Sequence, residues 1–263
     1  MNQLSTAWVD ITQSVRHYKL AFFLGWRDSI LRYRVAKIGP LWMMIQTALW
    51  VGAICFFFGP SIGKNDPQYY IYVAVGISLY STFLIFISEG VSVFIREASL
   101  ILNVPNPFFI YVLKIAVKAI IQIIMTIPVI ATVMLIAGKP LTSTSLLVMP
   151  GLVLCVLFGI GVTLLLGTLG ARYRDIIFAT HALMRLMLFI TPIFWIVTQK
   201  TGLRTLIAEI NPLYHLITVV RQPLLGILPA SHHWYIATGS VIAALALGIL
   251  IFSWYRGRIA IWL

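Results

Sequence analysis

Acidic residues are scarce in this chain, which has only seven Asp and Glu among 263 residues. Charged residues of either sign make up 10%, whereas soluble domains carry about 25%. A chain that is 60% hydrophobic and so poor in charge has no plausible water-facing surface. These absences exclude a soluble globular domain, and the bilayer is the predicted solvent.

Cysteine and catalytic motifs are equally sparse. Cys55 and Cys155 lie deep in apolar runs, which predicts small core residues rather than a disulfide or a metal pair. The chain has no GxxxxGK[ST] phosphate loop, no HExxH, no GxSxG and no cysteine cluster. No two acidic residues lie together deep in an apolar run, as a proton-coupled carrier would more often have. We therefore expect no enzyme and no cofactor or metal bound by this chain, and energy for uphill transport would come from another chain.

Six long apolar runs are present, each close to the roughly 20 residues that a membrane helix needs. The runs are continuous rather than alternating, which favours helices over barrel strands. The predicted fold is an all-α integral membrane protein with six transmembrane helices. The predicted spans are about 39–59, 69–87, 109–137, 146–170, 176–197 and 234–254.

Lysine and arginine predict the orientation of these spans. They are concentrated in the N-terminal arm, the second loop, the fourth loop and the tail, which alternate correctly if both termini are cytoplasmic. The first and third loops carry one lysine each, Lys64 and Lys139. The fifth loop, with Lys200, Arg204 and Arg221, is the exception to the pattern.

The arm, residues 1–38, carries too many charges for a span. Large apolar side chains nevertheless recur there at helical spacing, while charged residues occupy other faces. This pattern predicts a helix that lies in the cytoplasmic headgroup layer, either as a simple anchor or with a functional role. The apolar members are Phe22, Phe23, Trp26, Ile30 and Tyr33, and the charged members are Arg27, Asp28, Arg32 and Arg34.

The second loop, residues 96–107, is longer than the about four to six residues of a tight turn. Glu97 to Val104 are predicted to form a short helix, ended by Pro105 and Pro107. A short polar-ended helix facing the cytosol would serve as a handle for a partner.

The fifth loop, residues 200–230, is too apolar for a solvated linker, and its pieces are too short to span a bilayer. Asn211-Pro212 divides it. We predict two short helices forming a re-entrant outer hairpin that is buried against protein. The alternative is a seventh span from Leu213 to Leu228, which would put the tail outside.

Small residues and prolines mark close packing and breaks within the spans. Pro128 and Pro192 predict a kink or local unwinding in the third and fifth spans. A stripe of small residues at four-residue spacing predicts close helix packing on the fourth span. The stripe consists of Gly159, Thr163, Gly167 and Ala171.

Polar residues inside the spans are candidates for function. Lys114 and Lys118, one turn apart, are expected to snorkel to headgroups, although Glu89 is a candidate partner for a buried cation. His181 and Arg185 are one turn apart in the fifth span, and Arg185 is the deeper of the two.

Aromatic and amide residues recur on the first span. Trp42, Gln46 and Trp50 fall at four-residue steps. They suit a passage for sugars, because flat rings stack on sugar faces, but an interfacial tryptophan belt or plain packing accounts for them equally well.

Four stretches, in order and covering nearly the whole chain, resemble permeases of the type-2 ABC exporter family. The resemblance is strongest to the branch that exports lipid-linked polysaccharides such as O-antigen, capsule or teichoic acid. The stretches are RYRVAKIGPLW (32–42), GARYRDIIFA (170–179), TPIFW (191–195) and NPLYHLITVVRQPLLG (211–226).

The resemblance implies one permease domain over residues 1–263, with an interface helix, six spans and a re-entrant hairpin between the last two. It implies a homodimer in the bacterial inner membrane, in contact with membrane lipids and a lipid-linked glycan but no nucleic acid. Two separate ATP-binding cassette subunits would carry ATP and Mg²⁺ and would dock on residues 96–107. The implied docking residues are Arg96, Glu97, Leu100, Asn103 and Pro105.

The resemblance also implies positions for substrate contacts. Arg32, Arg34 and Lys37 would flank the entrance for a lipid-linked pyrophosphate, which needs charge-assisted donors. Lys37 and Arg185 stand where family members more often have uncharged residues, so the cargo stays open. A small amphiphile or drug, an ion-coupled carrier without an ATPase, and a membrane enzyme or scaffold remain as alternatives. The implied passage lining is Trp42, Gln46, Trp50, Arg185 and Trp195.

Overall fold

The computed structural model describes residues 3–34, 36–63, 66–197 and 202–263. Those residues form twelve α-helices, with short π-helical and 3-10 turns, and contain no β-strand. Lys64 and Lys200, which entered the orientation argument, lie outside the described residues. The helices are α1 Gln3–Arg16, α2 Tyr18–Leu31, α3 Leu41–Phe58, α4 Pro67–Leu84, α5 Val93–Arg96, α6 Ala98–Asn103, α7 Phe109–Ile136, α8 Val148–Arg172, α9 Asp175–Ile190, α10 Leu203–Ile210, α11 Pro212–Leu224 and α12 Ser231–Trp262.

Five helical segments of the described chain are long and apolar enough to cross a membrane. The all-α membrane class is thus confirmed, with one fewer full-length span than predicted. The segments are Leu41–Ile62, Pro67–Asn103, Phe109–Ile136, Ser143–Arg172 and Ser231–Trp262.

Helix α4 is the buried centre of the bundle. It begins with Asp66, whose carboxylate accepts the backbone N–H of Gln68 at 2.8 Å, while Pro67 occupies the first helical position. Helices α3, α7 and α11 pack around it. The most apolar window of this segment is 72% buried, more than in any of the other four.

The half of this central segment that leads to α6 departs from α-helical geometry. A π-helical turn at Ile85–Glu89 is followed by a 3-10 turn and the short helix α5. The Thr163 hydroxyl on α8 donates to the Phe86 carbonyl at 2.7 Å. A Cβ on Gly170 would lie 2.1 Å from the Val91 carbonyl oxygen, so only a hydrogen fits there. The predicted packing role of the small stripe on α8 is confirmed, and its partner is this irregular turn.

Helices α8 and α12 touch backbone to backbone. A Cβ on Gly161 would lie 2.6 Å from the carbonyl carbon of Ala244. A Cβ on Gly248 would lie 2.6 Å from the Gly161 carbonyl oxygen. Small residues on both helices therefore let the backbones of α8 and α12 approach each other without side chains between them.

The predicted fifth span, 176–197, is wrong as a continuous helix. Helix α9 has 16 residues, about 24 Å at 1.5 Å per residue, and it ends at Ile190. Thr191 is extended (φ −77°, ψ 132°) because the following Pro192 disfavours helical geometry at the residue before it. By contrast, α7 stays helical through Pro128, so the unwinding expected there is not observed.

Helix α9 and the non-helical residues after it nevertheless connect the two ends of the bundle. Helix α9 starts directly after the end of α8. At its far end the Tyr69 hydroxyl, in the first turn of α4, donates to the Phe194 carbonyl at 2.6 Å. The segment therefore runs beside α4 over most of its length.

Helices α10 and α11 meet at Asn211-Pro212, as predicted. The Asn211 side chain accepts the N–H of Leu213 at 3.0 Å and caps α11. Helix α11 has 13 residues, about 20 Å, which is too short for the alternative seventh span. His215 contacts His233 at the start of α12 at 2.8 Å, so α11 lies near the end where α12 begins. Re-entry of this pair into the bilayer stays a prediction.

The arm forms two helices rather than one. Helix α2 buries small residues, and a Cβ on Gly25 would lie 2.9 Å from the Lys114 carbonyl oxygen on α7. The aromatic side chains of Phe22, Phe23 and Trp26 are exposed on the other face. The arm is thus anchored on protein by its small face and is free to meet headgroups with its aromatic face.

Both ends of the chain lie at one end of the bundle. Arg256, near the end of α12, donates to the Asp10 carboxylate of α1 at 2.8 Å. The same carboxylate accepts the backbone N–H groups of Phe108 and Phe109 at the start of α7. The arm, the 96–107 segment and the tail are therefore neighbours.

Replacement of Gly161 by alanine should destabilise the protein, because the added methyl group meets the α12 backbone. Overpacking of this kind costs about 1–3 kcal/mol. Gly239→Ala is the matched control, since a Cβ there meets nothing within 4 Å and alanine has the higher helix propensity. Thermal unfolding in detergent should show a lower midpoint for Gly161→Ala only. An unchanged midpoint would contradict the close contact of α8 with α12.

Candidate functional site

A layer of paired charges occupies the end of the bundle that holds the arm and the 96–107 segment. It uses four of the seven acidic residues of the chain. Such a concentration is significant in a protein with so few carboxylates. The four are Asp10, Asp28, Glu89 and Glu97.

Glu89 joins three elements through its carboxylate. It contacts Arg32 of the arm at 2.5 Å, the ammonium group of Lys118 on α7, and Arg96 of α5 at 3.5 Å. Its side chain is 17% exposed. It is the last residue of the π-helical turn Ile85–Glu89, a geometry that recurs at functional sites.

The two lysines of α7 do not snorkel, so that expectation is wrong. Lys114 and Lys118 are 1% and 4% exposed. The Lys114 ammonium lies 2.7 Å from Asp28 and 2.5 Å from Glu97. Lys118 pairs with Glu89, the candidate partner, and lies 3.9 Å from Asp28. Covering by α2 prevents these side chains from reaching headgroups, and a buried ammonium needs a carboxylate nearby.

Asp10 is fully buried and anchors the first helix to the bundle. Its two oxygens accept from the N–H groups of Phe108 and Phe109 at 3.1 and 2.9 Å. A carboxylate at the start of a helix satisfies unpaired donors and complements the helix dipole. Sequence reasoning missed this role; the signal was that Asp10 is the one acidic residue of helix α1.

Arg32 lies at the edge of the charged layer, and its side chain is 44% exposed. Burial alone would lower its pKa, but the hydrogen bond and the charge of Glu89 raise the pKa above its ordinary value. The guanidinium is therefore permanently charged and already paired.

Arg34 and Lys37 differ from Arg32 in having no partner of opposite charge. Both are exposed on the turn that leads into α3. Within the part of the chain that the structure describes, no carboxylate lies within ion-pair distance of either one. Of the three predicted entrance residues, these two are available to an external anion.

The predicted docking residues fall into two groups. Arg96, Asn103 and Pro105 are exposed. Glu97 points inward to Lys114, and Leu100 packs on the buried face of α2. The predicted short helix is confirmed as α6. Docking of a partner on these residues, Glu97 included, stays a prediction.

Exposed apolar side chains at the tip of the 96–107 segment were not singled out from the sequence. Leu102 is 58% exposed and Val104 is 42% exposed. Glu97 and Leu100 face inward, towards Lys114 and α2. Leu102 and Val104 lie on the other, outward side of the segment. They give the tip an apolar contact surface.

The predicted lining residues of α3 share one outer face of that helix. Gln46 and Trp50 are exposed and Trp42 is half-buried. Gln46 lies 3.5 Å from the Tyr33 hydroxyl of the arm. Among the described residues, α3 packs on α4 and α7, and Phe58 at its far end contacts Phe194.

The lining residues after α8 lie on a different face. Arg185 is exposed beside a cavity of about 470 Å³ that His181 and Tyr80 also line. The His181 ring nitrogen lies 2.9 Å from the Ser88 carbonyl oxygen. Trp195 is half-buried and donates its indole N–H to the Phe189 carbonyl at 2.9 Å. The structure does not bring the α3 and α9 residues together within one chain.

Arg221 was counted as a residue of the fifth loop when the orientation of the spans was predicted. It is instead buried in the bundle. Its guanidinium lies 3.7 Å from the centre of the Tyr72 ring and donates to the Pro192 carbonyl at 2.8 Å. The Tyr72 hydroxyl lies 3.0 Å from the carbonyl oxygens of both Pro192 and Trp195, which share its one hydrogen. Together they hold the non-helical segment after α9. A single arginine in an apolar helix was the sequence signal.

Comparison with known proteins identifies the family. A family model described as ABC-2 type transporter matches residues 19–225, from α2 to the end of α11. This chain belongs to the ABC-2 type transporter family. Membership makes it a multi-pass membrane protein and a transport component, and it implies a separate ATP-binding cassette partner. Among the described residues of this ABC-2 protein, no three His, Cys, Asp or Glu side chains group as metal ligands.

A relative shares the polysaccharide branch to which the motifs pointed. It is the O-antigen export system permease protein RfbA of Myxococcus xanthus. It is 21% identical to this ABC-2 protein over 194 residues, which cover 73% of this chain and 75% of the relative.

Removal of the Glu89 charge should destabilise the fold more than removal of its whole ion pair. Glu89→Gln leaves Lys118 buried with only Asp28 at 3.9 Å, and an uncompensated buried charge costs about 3–5 kcal/mol. The double variant Glu89→Gln/Lys118→Met should recover most of that loss in thermal unfolding. Asp175→Asn, an exposed carboxylate at the start of α9, is the control. A double variant no more stable than Glu89→Gln would refute this coupling.

Proposed function

We propose that this chain is the permease subunit of an ATP-driven exporter that moves a polyprenyl-pyrophosphate-linked polysaccharide across the bacterial inner membrane. The observation that carries the proposal is the Glu89 cluster, which joins the arm, the central helix and the 96–107 segment through Arg32, Lys118 and Arg96. The name of the Myxococcus xanthus relative supports the polysaccharide cargo.

In this proposal the charged end of the bundle faces the cytoplasm, with both termini. Helix α9 and residues 191–197 form the sixth crossing, because they connect the two ends beside α4. Helices α10 and α11 form an outer re-entrant hairpin, which is supported by the burial of most of α11.

The coupling step begins at α6. ATP binding on the cassette subunit moves the tip of the 96–107 segment, and the Glu97–Lys114 and Arg96–Glu89 pairs transmit that movement. The connected elements are α7 and the end of the central segment. Because Lys114 is buried and the Glu89 and Glu97 side chains are largely buried, these side chains move together with the elements that carry them. The chain itself makes and breaks no covalent bond.

Two copies of the chain would form the passage. The exposed faces of α3 and α9 have few neighbours within one chain, and a homodimer would bring them opposite each other. Trp50 and Gln46 would then supply rings and amides to sugar units. Arg185 would supply a cation one turn deeper than His181 on α9.

The pyrophosphate of the carrier would bind beside the arm. Arg34 and Lys37 supply two cations without internal partners, and Arg32 places the turn through its bond to Glu89. Charge-assisted bonds to phosphate oxygens are strong enough to select a pyrophosphate head over a neutral lipid.

The exposed tip of the 96–107 segment should be required for partner binding. Affinity purification of the full-length protein in mild detergent should recover an ATP-binding cassette subunit. Leu102→Glu should reduce its recovery at least tenfold, because a carboxylate would be desolvated in an apolar contact. Leu228→Glu is the control, since that leucine is similarly exposed at the other end of the bundle (67% against 58%).

Two outcomes would contradict this assignment. Purification of the chain without any ATPase, even after gentle crosslinking, would favour an ion-coupled carrier, which would then transport alone under an ion gradient. Loss of drug resistance with unchanged surface glycan after deletion of the gene would favour export of a small amphiphile.

Neutralisation of the two unpaired entrance cations should impair export without unfolding the protein. Arg34→Gln/Lys37→Gln should lower surface glycan about tenfold or more in a complemented deletion strain, because charge-assisted phosphate bonds are lost. Arg258→Gln, an exposed arginine of the tail, should leave it unchanged. Equal surface glycan in both strains would remove Arg34 and Lys37 from the entrance.

A further inference from the structure

A crevice of about 590 Å³ lies between α4, α7, α8 and α11, away from the faces of α3 and α9. Thr82 and Thr126 line it, and both hydroxyl groups already donate to carbonyls of their own helices. Ser78 is the polar exception, with a buried hydroxyl lacking a hydrogen-bond partner. The rest of the lining is almost entirely apolar, as in Leu79, Ile130, Met134 and Leu152.

The crevice opens sideways onto the outer surface of the bundle. Leu135, Leu141 and Met149 at its rim are 82%, 72% and 69% exposed. Along α7 the lining extends from Ile123 to Leu135, roughly 18 Å at 1.5 Å per residue. One leaflet of the hydrocarbon core is roughly 15 Å, half of about 30 Å. The crevice thus has the length of one acyl chain and opens where lipid surrounds a membrane protein.

Lys139 lies at one end of the crevice. Helix α7 ends at Ile136. Gly138, two residues later, has φ +62°, and the Lys139 N–H returns to the Met134 carbonyl at 3.1 Å. This turn places the lysine at the level of the helix end, where headgroups begin. Among the described residues, no carboxylate lies within ion-pair distance of Lys139.

We propose that this crevice binds one acyl chain of a membrane phospholipid with an anionic headgroup, whose phosphate contacts Lys139. A lysine at the mouth of an apolar crevice complements a ligand with a long apolar chain and one negative end. A second protein copy seated there would have to bring one of its seven carboxylates to Lys139 or leave the ammonium group buried without a counter-charge, which is unfavourable. The proposal requires only a multi-pass membrane protein, so it stands independently of the exported cargo.

A second groove provides an internal comparison. It has about the same volume, 600 Å³, and lies between α3 and α7, lined by residues such as Ile45, Leu49 and Val133. No lysine or arginine lines it. Any lipid there should be selected by shape alone, without preference for charge.

Photocrosslinking tests the proposal on the full-length protein in nanodiscs of phosphatidylcholine. Two probes carry the same diazirine acyl chain, one on phosphatidylglycerol and one on phosphatidylcholine. The phosphatidylglycerol probe should label peptides 123–135 and 148–152 about fivefold more strongly, the factor expected for one lysine at an anionic headgroup. Labelling of the α3–α7 groove should be equal for both probes.

Three variants locate the interaction. Lys139→Gln should abolish the charge preference, and Lys139→Arg should retain it. Ala131→Trp, a substitution at an exposed lining residue, should fill the crevice and reduce labelling by both probes there but not in the α3–α7 groove. Elution of each variant as the wild-type species on size exclusion establishes folding.

Equal labelling by both probes in the wild-type crevice, or a preference that survives Lys139→Gln, would overturn the proposal and indicate bulk annular lipid. Protection of the crevice from both probes, with intermolecular crosslinks at Leu141 or Met149, would also overturn it and indicate a second copy as the occupant.

Discussion

Two lysines buried beneath a covering helix constrain the whole charged end of this protein. Lys114 and Lys118 lie in the interior of the bundle, where an ammonium group without a counter-charge would cost several kcal/mol. Asp28 comes from the arm, Glu97 from the 96–107 segment and Glu89 from the π-helical turn. The arm and the stretch from Glu89 to Glu97, which are about sixty residues apart in sequence, must therefore converge on one face of α7. The position of each depends on the presence of the others.

That requirement explains the distribution of acids along the chain. Of its seven carboxylates, the protein places four where they neutralise buried lysines or accept the free N–H groups at the start of a helix. Asp10 at the start of α7 follows the same rule, since it satisfies two backbone donors and one arginine. The exposed cations Arg34 and Lys37 stand outside this arrangement, which is why they suit an external anion.

Local patterns predicted much of the fold. Apolar runs identified the helices that can cross the membrane, Asn211-Pro212 divided the fifth loop, and the small stripe of α8 indicated close packing. The fifth span failed because composition shows an apolar run and does not show where the backbone leaves the helix. Pro192 marks the point where the helix ends. The chain around it is stabilised outside a helix because Tyr72 and Arg221 donate to its backbone carbonyls. Side-chain direction was the other limit, as in Glu97, whose position in a polar loop gave no sign that it points inward.

The π-helical turn that ends at Glu89 has a consequence for the angle at which the 96–107 segment leaves the bundle. Each residue of an α-helix advances the chain by about 100° around the axis, the value for 3.6 residues per turn. Closing the π-helical turn into regular α-helix would therefore rotate everything beyond it by about one such step. Glu89 would then face away from Lys118, and α6 would point in another direction. The ion pairs thus fix how far α6 is rotated about the axis of the central segment. A change in that rotation would be accompanied by the loss or gain of one backbone hydrogen bond.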